Sequence, residues 1–385
     1  MRQIVCLSTS NWEGHPTSKQ QVMSRIKDAE ILYFDPPITM IAPLKDKSAK
    51  PRMSKYKEKG FKPAENITVY ALPPVLPLYN KHRSLNRMNQ RRIAAFVREK
   101  MKKHGFHNPV LWVYHPSNVD AIEHIPPSPL VYHCVDRHSA YPGLIDPAVV
   151  DGMEAELARK CDMIFATAKG LAETLKKYTD NVHLLPNGAN YELFSRVDEP
   201  GLPIPNDLFN IQKPILGFIG ALQDCNDYSL VSEAARRHPE WSFVFIGNPL
   251  PGVDLSEITG RDNIHLLGPK PHNELVCYIA NFDACLNLFR PNALSKDVSP
   301  LKFYEYLATG KPIVSTPQPE QILDYRDVIY IGATPDEFEQ QCARAIADTS
   351  PELKAKRQAY GRLCSWDARV SELREVLASK NILTE

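Results

Sequence analysis

The chain has 385 residues, of which 43% are hydrophobic and 24% charged, and its formal net charge at pH 7 is +1. This composition is typical of a folded globular protein, and the length favours two domains of roughly 150–200 residues each. No stretch of the sequence approaches the ~18 consecutive apolar residues of a membrane span, and the first residues lack the basic and apolar regions of a signal peptide. We therefore expect a cytoplasmic protein.

The charge is unevenly distributed along the chain. Residues 1–103 hold 21 Lys and Arg but 8 Asp and Glu, a net charge of +13, whereas the remaining residues hold 25 and 37, a net charge of −12. A one-sided field of this kind favours an anionic partner, so we predict that residues 45–103 can meet an anionic membrane surface. A solvated helix face and a basic loop explain the same charges equally well. No recognition motif for nucleic acid accompanies them, so nucleic acid is not an expected partner.

The eight cysteines are scattered, without a CxxC motif or the spacing of a zinc finger. Most lie in apolar stretches, so we expect reduced thiols in the core of a protein from a reducing compartment. The sequence also has no Asp-x-Asp motif and no group of residues with metal-ligand spacing. We therefore predict neither a metal nor another cofactor.

Short apolar stretches alternate with amphipathic stretches through the first half of the chain. Such alternation, with strands that are apolar throughout, is typical of a parallel sheet with helices on both faces. The predicted strands are 4–8, 31–34, 68–71, 110–114, 130–134, 163–166 and 182–185, and the predicted helices are 18–29, 83–104, 147–160 and 169–178.

A proline-rich stretch, 198–213, interrupts this alternation and is predicted to be a linker between two domains, 1–197 and 214–364. A last helical stretch, 351–380, is expected to break near Gly361, and its end, about 365–385, is expected to pack back on the first domain. The second domain has predicted strands 215–219, 243–246, 264–267, 284–288 and 313–315 and predicted helices 228–237, 274–280, 300–309 and 336–347.

Two such α/β units are Rossmann-like domains, which bind ligands at the carboxyl ends of their strands. The first strand is followed by Ser-Thr-Ser-Asn-Trp-Glu-Gly rather than by GxGxxG, and the chain has no GxxxxGK[ST] motif. Ordinary dinucleotide-binding and P-loop functions therefore lose their main support.

The predicted helix 300–309 has clear ends. Ser299 can cap its N-terminus, Pro300 suits its first position, and Gly310 suits the residue that follows it. The N–H groups and the dipole at such a helix start favour an anion. We therefore predict an anion site at the start of this helix.

Lys302 lies in the first turn of this helix, where a cation is unfavourable unless an anion such as a diphosphate lies beside it. Glu305, three residues on, shares a face with Lys302 and can accept hydrogen bonds from a ribose. Asp297 precedes the helix and can bind sugar hydroxyls. On spacing alone, a surface helix with an incidental Lys–Glu pair is an equal alternative.

The spacing Asp297-x7-Glu305, followed by Tyr-Leu-Ala-Thr-Gly-Lys-Pro-Ile-Val-Ser, resembles the Glu-x7-Glu signature of retaining GT-B glycosyltransferases of the family 4 type. Segments 216–222, 243–247 and 263–275 resemble the glycine loop, second strand and base-binding strand and loop of its donor domain. Segment 186–194 resembles the Pro-Asn-Gly segment that precedes its linker. The pattern around Lys302 is closest to bacterial enzymes of cell-surface polysaccharide synthesis, of the teichuronic-acid type. The resemblance implies a GT-B fold, with two Rossmann-like parallel-sheet domains facing across a cleft.

The resemblance implies that the second domain binds a nucleotide-sugar donor, with Glu305 on the ribose and Asp297 on the sugar. Loop 221–228 lacks the Arg and Lys that clamp the diphosphate in many members, so Lys302 is expected to hold most of the phosphate charge, with Arg290 as a helper or a structural residue. Asp297 also replaces the family's first Glu and is one methylene shorter. The predicted donor-binding residues are Gly220, Leu267, Gly268, Lys270, Val298, Ser299, Pro300, Leu301, Lys302 and Glu305.

Residues of the first domain are expected to face the acceptor or the donor sugar. They follow predicted strands, and two of their segments resemble the same bacterial subgroup. The structural alternatives are a capping role for Asp136 and packing roles for Trp12 and His138. The predicted acceptor- or sugar-binding residues are Trp12, Gly14, His115, His138 and Asn187, and the predicted catalytic residues are Asp136, Asp297, Lys302 and Glu305.

The sequence thus predicts a metal-independent glycosyltransferase that moves a sugar from a nucleotide-diphosphate donor to a glycan or lipid-linked acceptor in bacterial surface polysaccharide synthesis. The resemblance implies retention at the anomeric carbon without a covalent enzyme intermediate. The alternatives are a nucleotide-sugar epimerase or a phosphorylase on the same fold, and a non-catalytic nucleotide-sugar-binding subunit. Association with the inner face of the membrane is the expected role of the basic half.

Overall fold

The computed structural model describes residues 2–14, 16–126, 128–141, 143–291 and 295–383. The chain divides into two compact units. Unit 1 comprises Met1–Leu185 and Val370–Glu385, and unit 2 comprises Pro186–Arg369. Each unit has its own sheet and its own hydrophobic core.

The strands of unit 1 are β1 Arg2–Leu7, β2 Ala29–Asp35, β3 Phe61–Ala64, β4 Ile67–Ala71, β5 Val110–Val113, β6 Leu130–Cys134, β7 Met163–Ala166 and β8 Val182–Leu184. In the described residues they form one sheet in the order β3-β4-β2-β1-β5-β6-β7-β8. All neighbours are parallel except β3 and β4, so β3 is an antiparallel edge strand. The strand order reverses between β1 and β5, which is the switch point where doubly wound sheets bind ligands.

The helices that lie wholly in unit 1 are α1 Ser18–Arg25, α2 Ala42–Lys45, α3 Arg83–Lys103, α4 Val119–Ile122, α5 Pro147–Lys160 and α6 Lys169–Leu175. Ile93, Ala94 and Val97 of α3 are buried in the main core cluster with residues of the central strands. The opposite sheet face is buried as well, and Trp112 of β5 stacks on Phe165 of β7 there, with ring centroids 6.1 Å apart. Burial on both faces explains why these strands are apolar throughout.

The strands of unit 2 are β9 Ile215–Ile219, β10 Ser242–Ile246, β11 Ile264–Leu266, β12 Ala284–Asn287, β13 Ile313–Ser315 and β14 Tyr330–Ile331. In the described residues their order is β11-β10-β9-β12-β13-β14, and all neighbours are parallel. Numbered within the unit this is 3-2-1-4-5-6, the order of the dinucleotide-binding doubly wound sheet. The predicted fold class, two parallel α/β units, is confirmed.

The remaining helices are α7 Tyr191–Phe194, α8 Tyr228–Arg237, α9 Leu275–Ala280, α10 Leu301–Thr309, α11 Pro335–Ile346, α12 Pro351–Leu363 and α13 Trp366–Ser379. The expected break near Gly361 is confirmed, because α12 ends at Leu363 and α13 begins at Trp366. Gly361 itself lies within α12 and serves packing, since a Cβ atom there would lie 2.5 Å from the Cα of Ala308 in α10. Other differences concern short elements: α1 ends at Arg25 rather than at residue 29, and the strands β3 and β14 and the short helices α2, α4 and α7 were not predicted.

The compact units differ from the predicted domains at two boundaries, because unit 1 ends at Leu185 rather than at residue 197 and unit 2 ends at Arg369 rather than at residue 364. The chain passes from unit 1 to unit 2 after Leu185, and the proline-rich stretch 198–213 belongs to unit 2. Leu208 of this stretch is buried in the unit 2 core, and Asp207 accepts a hydrogen bond from Tyr278 of α9 at 2.9 Å. Prolines and glycines marked the stretch as irregular, and most of its residues are exposed, but Leu208 and Asp207 attach it to unit 2.

Among the described residues, no helix has both the length and the apolar character that crossing a bilayer requires. The long helix α3, for example, carries many Lys and Arg side chains.

Candidate functional site

Three glycines follow neighbouring strands at the carboxyl edge of the unit 2 sheet. Gly220, Gly247 and Gly268 come after β9, β10 and β11, and their φ angles are +136°, +150° and +68°, which residues with a side chain rarely adopt. The Gly247 N–H donates to the Gly268 carbonyl at 3.0 Å, and a Cβ atom on Gly247 would lie 1.9 Å from the carbonyl oxygen of Gly220. This edge is therefore bare backbone that a ligand can approach closely.

Helix α10 begins without a side-chain cap. Pro300 is its N-cap residue, with φ −76° and ψ 110°, and Leu301 is its first helical residue. The predicted roles of Ser299 as cap and Pro300 as first residue are therefore wrong by one position. The proline side chain cannot accept a hydrogen bond, and the Phe303 N–H donates to the Pro300 carbonyl at 3.2 Å. Within the described part of the chain, the N–H groups of Leu301 and Lys302 are therefore the ones open to an anion. The predicted end of the helix is confirmed, with Gly310 at φ +76°.

Lys302, in the first turn of α10, lies against the glycine edge. Its Nζ lies 3.6 Å from the ring centroid of Phe218 and 5.7 Å from that of Phe289. A Cβ atom on Gly220 would lie 2.9 Å from both Cε and Nζ of the lysine. A side chain at position 220 would displace the tip of the lysine and would also be strained by the φ of +136°. Cation–π attraction helps to keep the ammonium there.

Burial lowers the pKa of Lys302 to about 7, although the nearby Cys225 and Glu305 act in the opposite direction. A buried ammonium is costly unless an anion lies beside it. A buried titratable group with a shifted pKa at the edge of a sheet is a candidate for a functional residue. The sequence points the same way, because a cation in the first turn of a helix is unfavourable unless an anion lies beside it.

Glu305 turns towards His272 rather than towards Lys302. Its Oε1 lies 3.3 Å from Nε2 of His272, and the two side chains are 17% and 18% exposed. The histidine precedes α9, and its ring packs edge-to-face on Phe194 at 5.5 Å. The carboxylate is therefore held by a neighbour, and part of it still reaches the surface.

Asn187 and Ser299 fix the turn that leads into α10. The Asn187 N–H donates to Ser299 Oγ at 3.1 Å, and Asn187 Nδ2 donates to the Ser299 carbonyl at 2.8 Å. Gln321 Nε2 also donates to Ser299 Oγ at 3.2 Å. Since the serine hydroxyl is used in this way, it does not cap the helix. Asn187, predicted to bind acceptor or sugar, lies in unit 2 and positions the start of α10.

Loop 221–228 is held by its backbone and by amide side chains. Asn226 is 1% exposed, its Nδ2 donates to the Leu288 carbonyl at 3.0 Å, and its Oδ1 accepts from the Gln223 N–H at 3.1 Å. Arg290 forms an ion pair with Glu257 at 3.3 Å. Arg290 is therefore engaged at the surface, and Lys302 is the cation that contacts the glycine edge directly.

The other predicted donor-binding residues of unit 2 differ in their surroundings. Lys270 forms an ion pair with Asp207 at 2.6 Å, which raises the pKa of the lysine and ties the loop after β11 to the stretch 198–213. Leu267 packs against the unit 2 core while its N–H donates to the Phe245 carbonyl at 2.9 Å. Asp297 is 6% exposed, in a short 3₁₀ turn before α10, and Val298 beside it is half-buried.

Two predicted residues of unit 1 shape the loop after β1. The Trp12 N–H donates to Asp35 Oδ1 at 2.7 Å, and its ring packs edge-to-face on Tyr33 with centroids 4.9 Å apart. Burial raises the pKa of Asp35 to about 6. Gly14 has a φ of +117°, and no atom lies within 4 Å of where its Cβ would be. The glycine thus serves the turn, and Trp12 is anchored by packing and by its backbone.

The predicted residues after β5 and β6 lie together. The rings of His115 and His138 are 4.7 Å apart, and Tyr141 donates to Asp136 Oδ2 at 2.8 Å. Burial lowers the pKa of His115 to about 4 and that of His138 well below its ordinary value, and it raises the pKa of Asp136. Both imidazoles are therefore neutral at pH 7, and Asp136 is harder to ionise than an exposed aspartate.

Sequence reasoning missed His272, the partner of Glu305, and Phe218, the ring under Lys302. His272 lies in the segment that resembles the family's base-binding loop, which was a usable signal. Phe218 is one of several buried aromatic residues of the strands, so nothing in its local sequence distinguishes it. No group of three or more His, Cys, Asp or Glu among the described residues is arranged to hold a metal ion.

Comparison with known proteins bears on both units. Residues 213–348 match the family model described as Glycosyl transferases group 1. TuaH of Bacillus subtilis (strain 168), named as a teichuronic acid biosynthesis glycosyltransferase, is 28% identical over 229 residues, which are 57% of this chain and 57% of TuaH. The matched part thus spans little more than half of that relative. Residues 213–348 of unit 2 are therefore similar to this glycosyltransferase family.

Two solved structures show the fold. Sucrose-phosphate synthase from Thermosynechococcus elongatus superposes with a TM-score of 0.70 at 13% identity, covering 98% of this chain and 99% of that chain. HepE from Anabaena in complex with UDP and glucose superposes with a TM-score of 0.66 at 12% identity, covering 98% and 100%. The expected GT-B fold is confirmed.

Proposed function

We propose that this protein is a glycosyltransferase that moves a sugar from a nucleotide-diphosphate donor to a glycan or lipid-linked acceptor in bacterial surface polysaccharide synthesis. The group 1 domain and the relative named for teichuronic acid biosynthesis support this reaction and this setting. A neighbour in complex with UDP and glucose supports a uridine nucleotide as a first donor to try.

The observation that carries the proposal is the position of Lys302. Among the described residues, this buried ammonium has no bonded carboxylate and lies at the start of a helix whose N-cap residue makes no side-chain hydrogen bond, beside three glycines at the carboxyl edge of a doubly wound sheet. Each of these features favours a phosphate group. Together they would stabilise the negative charge that develops on a leaving diphosphate.

We further propose that the reaction proceeds without a metal and with retention of configuration. Lys302 and the α10 N–H groups provide positive potential for the diphosphate, so the role that a metal plays in other transferases has a substitute here. Glu305, held by His272, would bind the ribose hydroxyls, and Asp297 would contact the sugar. No paired carboxylates are required, in contrast to most retaining hydrolases.

Donor turnover tests the proposal. Purified protein is incubated with UDP-, GDP- and CDP-sugars, and release of free nucleotide is followed with and without membrane extracts as acceptor. Lys302→Ala and Glu305→Ala should abolish turnover while the thermal unfolding transition is kept. Lys356→Ala and Glu352→Ala, which change exposed positions of α12, are the matched controls and should keep turnover. Wild-type rates in both site variants would refute the assignment of the site.

A second candidate function is a non-catalytic nucleotide-sugar-binding subunit. It is favoured by loop 221–228, which holds no cation where many family members carry two. In this case, nucleotide-sugars would raise the thermal unfolding temperature through Lys302, yet no acceptor would yield product. Conversion of the nucleotide-sugar in the absence of any acceptor would instead indicate an epimerase.

We also propose that residues 45–103 bring the protein to the anionic inner face of the membrane. Leu44, at the end of α2, is 86% exposed, and the exposed Lys47 and Lys50 follow it closely. An exposed apolar side chain flanked by basic ones suits an anionic lipid surface. Vesicles of phosphatidylglycerol should sediment the protein at low salt, and neutral phosphatidylcholine vesicles should not. Equal sedimentation with both would exclude an electrostatic role for this stretch.

A further inference from the structure

A cavity of about 340 Å³ lies beside β14, which is the last strand at one side of the unit 2 sheet in the described residues. One wall is the strand itself together with the turn before it, which holds Arg326. The other walls are side chains of α11 and α12, among them Arg344 and Leu353. The volume is within the range of small-molecule sites in proteins.

This cavity lies at the amino edge of the sheet, opposite to the glycine edge. Arg326 precedes β14 by four residues, and Arg344 lies near the end of α11, the helix that follows β14 and runs back towards its start. Arg357 of the same wall donates to the carbonyl of Gly310, which precedes β13, at 3.3 Å. The cavity is therefore separate from Lys302 and from the carboxyl edge, where doubly wound sheets bind their usual ligands.

Two arginines of the cavity wall have no acidic partner among the residues that the structure describes. Arg326 Nε donates to the Leu323 carbonyl at 3.0 Å, and Arg344 Nη1 donates to Gln341 Oε1 at 3.1 Å. The guanidinium of Arg344 also lies 5.5 Å from the ring centroid of Tyr330. Since a guanidinium has five N–H groups, each arginine is held in place by one of them and keeps others for a ligand.

The other two charged groups of the wall are neutralised by neighbours. Arg357 forms a buried ion pair with Asp348, and Asp327 forms an ion pair with Lys356 at 2.7 Å. The two arginines without an acidic partner therefore leave a local excess of positive charge. Unit 2 as a whole has the opposite sign, since residues 186–369 hold 17 Lys and Arg and 24 Asp and Glu, a net charge of −7. A cationic cavity in an acidic domain favours an anionic ligand.

Phosphate is the anion that these groups fit best. The planar fork of a guanidinium matches two phosphate oxygens, and a phosphate monoester carries about two negative charges at pH 7, one for each arginine. At about 30 Å³ per molecule the cavity would hold about 11 waters, which is more space than a phosphate group fills. Apolar wall residues such as Val328, Ile329 and Leu353 can contact the remainder of a ligand.

We propose that this cavity binds the phosphate group of a phosphorylated small molecule, with Arg326 and Arg344 donating to its oxygens. The inference goes beyond the proposed glycosyltransferase function and uses none of the residues assigned to the donor. Its evidence is the cavity, the two arginines without an acidic partner and the contrast in charge with the rest of unit 2.

Equilibrium dialysis of the full chain at low ionic strength tests this proposal. The probe is radiolabelled glucose 1-phosphate, and the competitors are inorganic phosphate and glucose. Arg326→Gln and Arg344→Gln each remove one charge from the cavity. Arg362→Gln removes one charge from an exposed position of α12 outside the cavity and is the matched control, and Lys302→Met removes the cation of the donor site. Thermal unfolding shows that each variant is folded.

Glucose 1-phosphate should bind the wild type and Arg362→Gln alike, and at least one binding site should remain in Lys302→Met. Arg326→Gln and Arg344→Gln should each weaken this binding about tenfold, as expected when a hydrogen bond to a charged group is lost, and salt should weaken it in the wild type. The proposal is overturned if glucose 1-phosphate does not bind, if both folded cavity variants bind like the wild type, or if Lys302→Met abolishes all binding.

Competition identifies the source of the phosphate group. Displacement that needs about tenfold more inorganic phosphate than ester supports a phosphorylated small molecule, because the walls then contact the remainder of the ligand. Displacement at equal concentrations assigns the cavity to free phosphate and overturns the organic ligand, and displacement by glucose overturns recognition through the phosphate. Donor turnover without phosphate binding at the cavity would refute only this inference, and phosphate binding without donor turnover would refute only the proposed function.

Discussion

Binding of a nucleotide-sugar should draw protons onto Lys302. The pKa of this lysine is about 7 in the protein alone because burial disfavours its charged form. A diphosphate beside the ammonium would raise that pKa towards or above the ordinary lysine value, so the bound state holds a proton that part of the unbound population lacks. At about pH 7 roughly half of the unbound lysines are neutral, and we expect an uptake of about half a proton per ligand.

The pH dependence follows with a definite sign. Uptake should approach one proton near pH 8.5 and vanish near pH 5.5, and the affinity should fall by up to about tenfold per pH unit above pH 7. The same lowered pKa means that the native state binds fewer protons than the unfolded state between about pH 7 and 10.5. Over that range, the difference in free energy of unfolding between wild type and Lys302→Met should therefore shift in favour of the wild type as the pH rises.

Isothermal titration calorimetry in two buffers of different ionisation enthalpy measures the uptake. A nucleotide-sugar is the right ligand, because its diphosphate has no group that titrates near neutrality. Lys302→Arg keeps a permanent charge and should bind without uptake, and Lys302→Met should bind weakly without uptake. Equal uptake by wild type and Lys302→Arg, or none by wild type at any pH, would show that Lys302 does not meet the diphosphate.

Three further changes should give distinct results. Glu305→Gln should lower kcat/KM for the donor about 10- to 100-fold, as expected when a charged hydrogen bond is lost, with an unchanged unfolding temperature; retained kcat/KM would remove Glu305 from the site. Gly247→Ala should destabilise the protein by more than the roughly 1–3 kcal/mol of a strained backbone, because its Cβ would strike the Gly220 carbonyl. Gly252→Ala is the control, since Gly252 also has a positive φ, +88°, but has open space around its Cβ position. Equal denaturant midpoints of the two variants would contradict this reasoning. Arg357 of α12 forms a buried ion pair with Asp348, the two side chains being 1% and 3% exposed. Arg357→Met should therefore lower the free energy of unfolding by about 3–5 kcal/mol, because it leaves the Asp348 carboxylate without its ion-pair partner. A urea midpoint like that of wild type would contradict the pairing.

The repeating part of the fold could be predicted from local sequence. Strands such as Leu130–Cys134 and Ile215–Ile219 are apolar throughout because both sheet faces are buried, and the helices between them force parallel pairing. The end of α10 was also predictable, because Gly310 adopts a conformation that few other residues adopt. The short edge strands Phe61–Ala64 and Tyr330–Ile331 were not predictable, since they are exposed or brief and carry little periodic signal.

The candidate site shows the same division. Local sequence is enough to predict that Lys302 and Glu305 lie one turn apart on a helix that starts at a strand end, and that loop 221–228 offers no cation. The contact of Lys302 with Phe218 and that of Glu305 with His272 could not be predicted in this way. These contacts join segments far apart in the chain, and the burial that lowers the pKa of Lys302 arises only when those segments pack together.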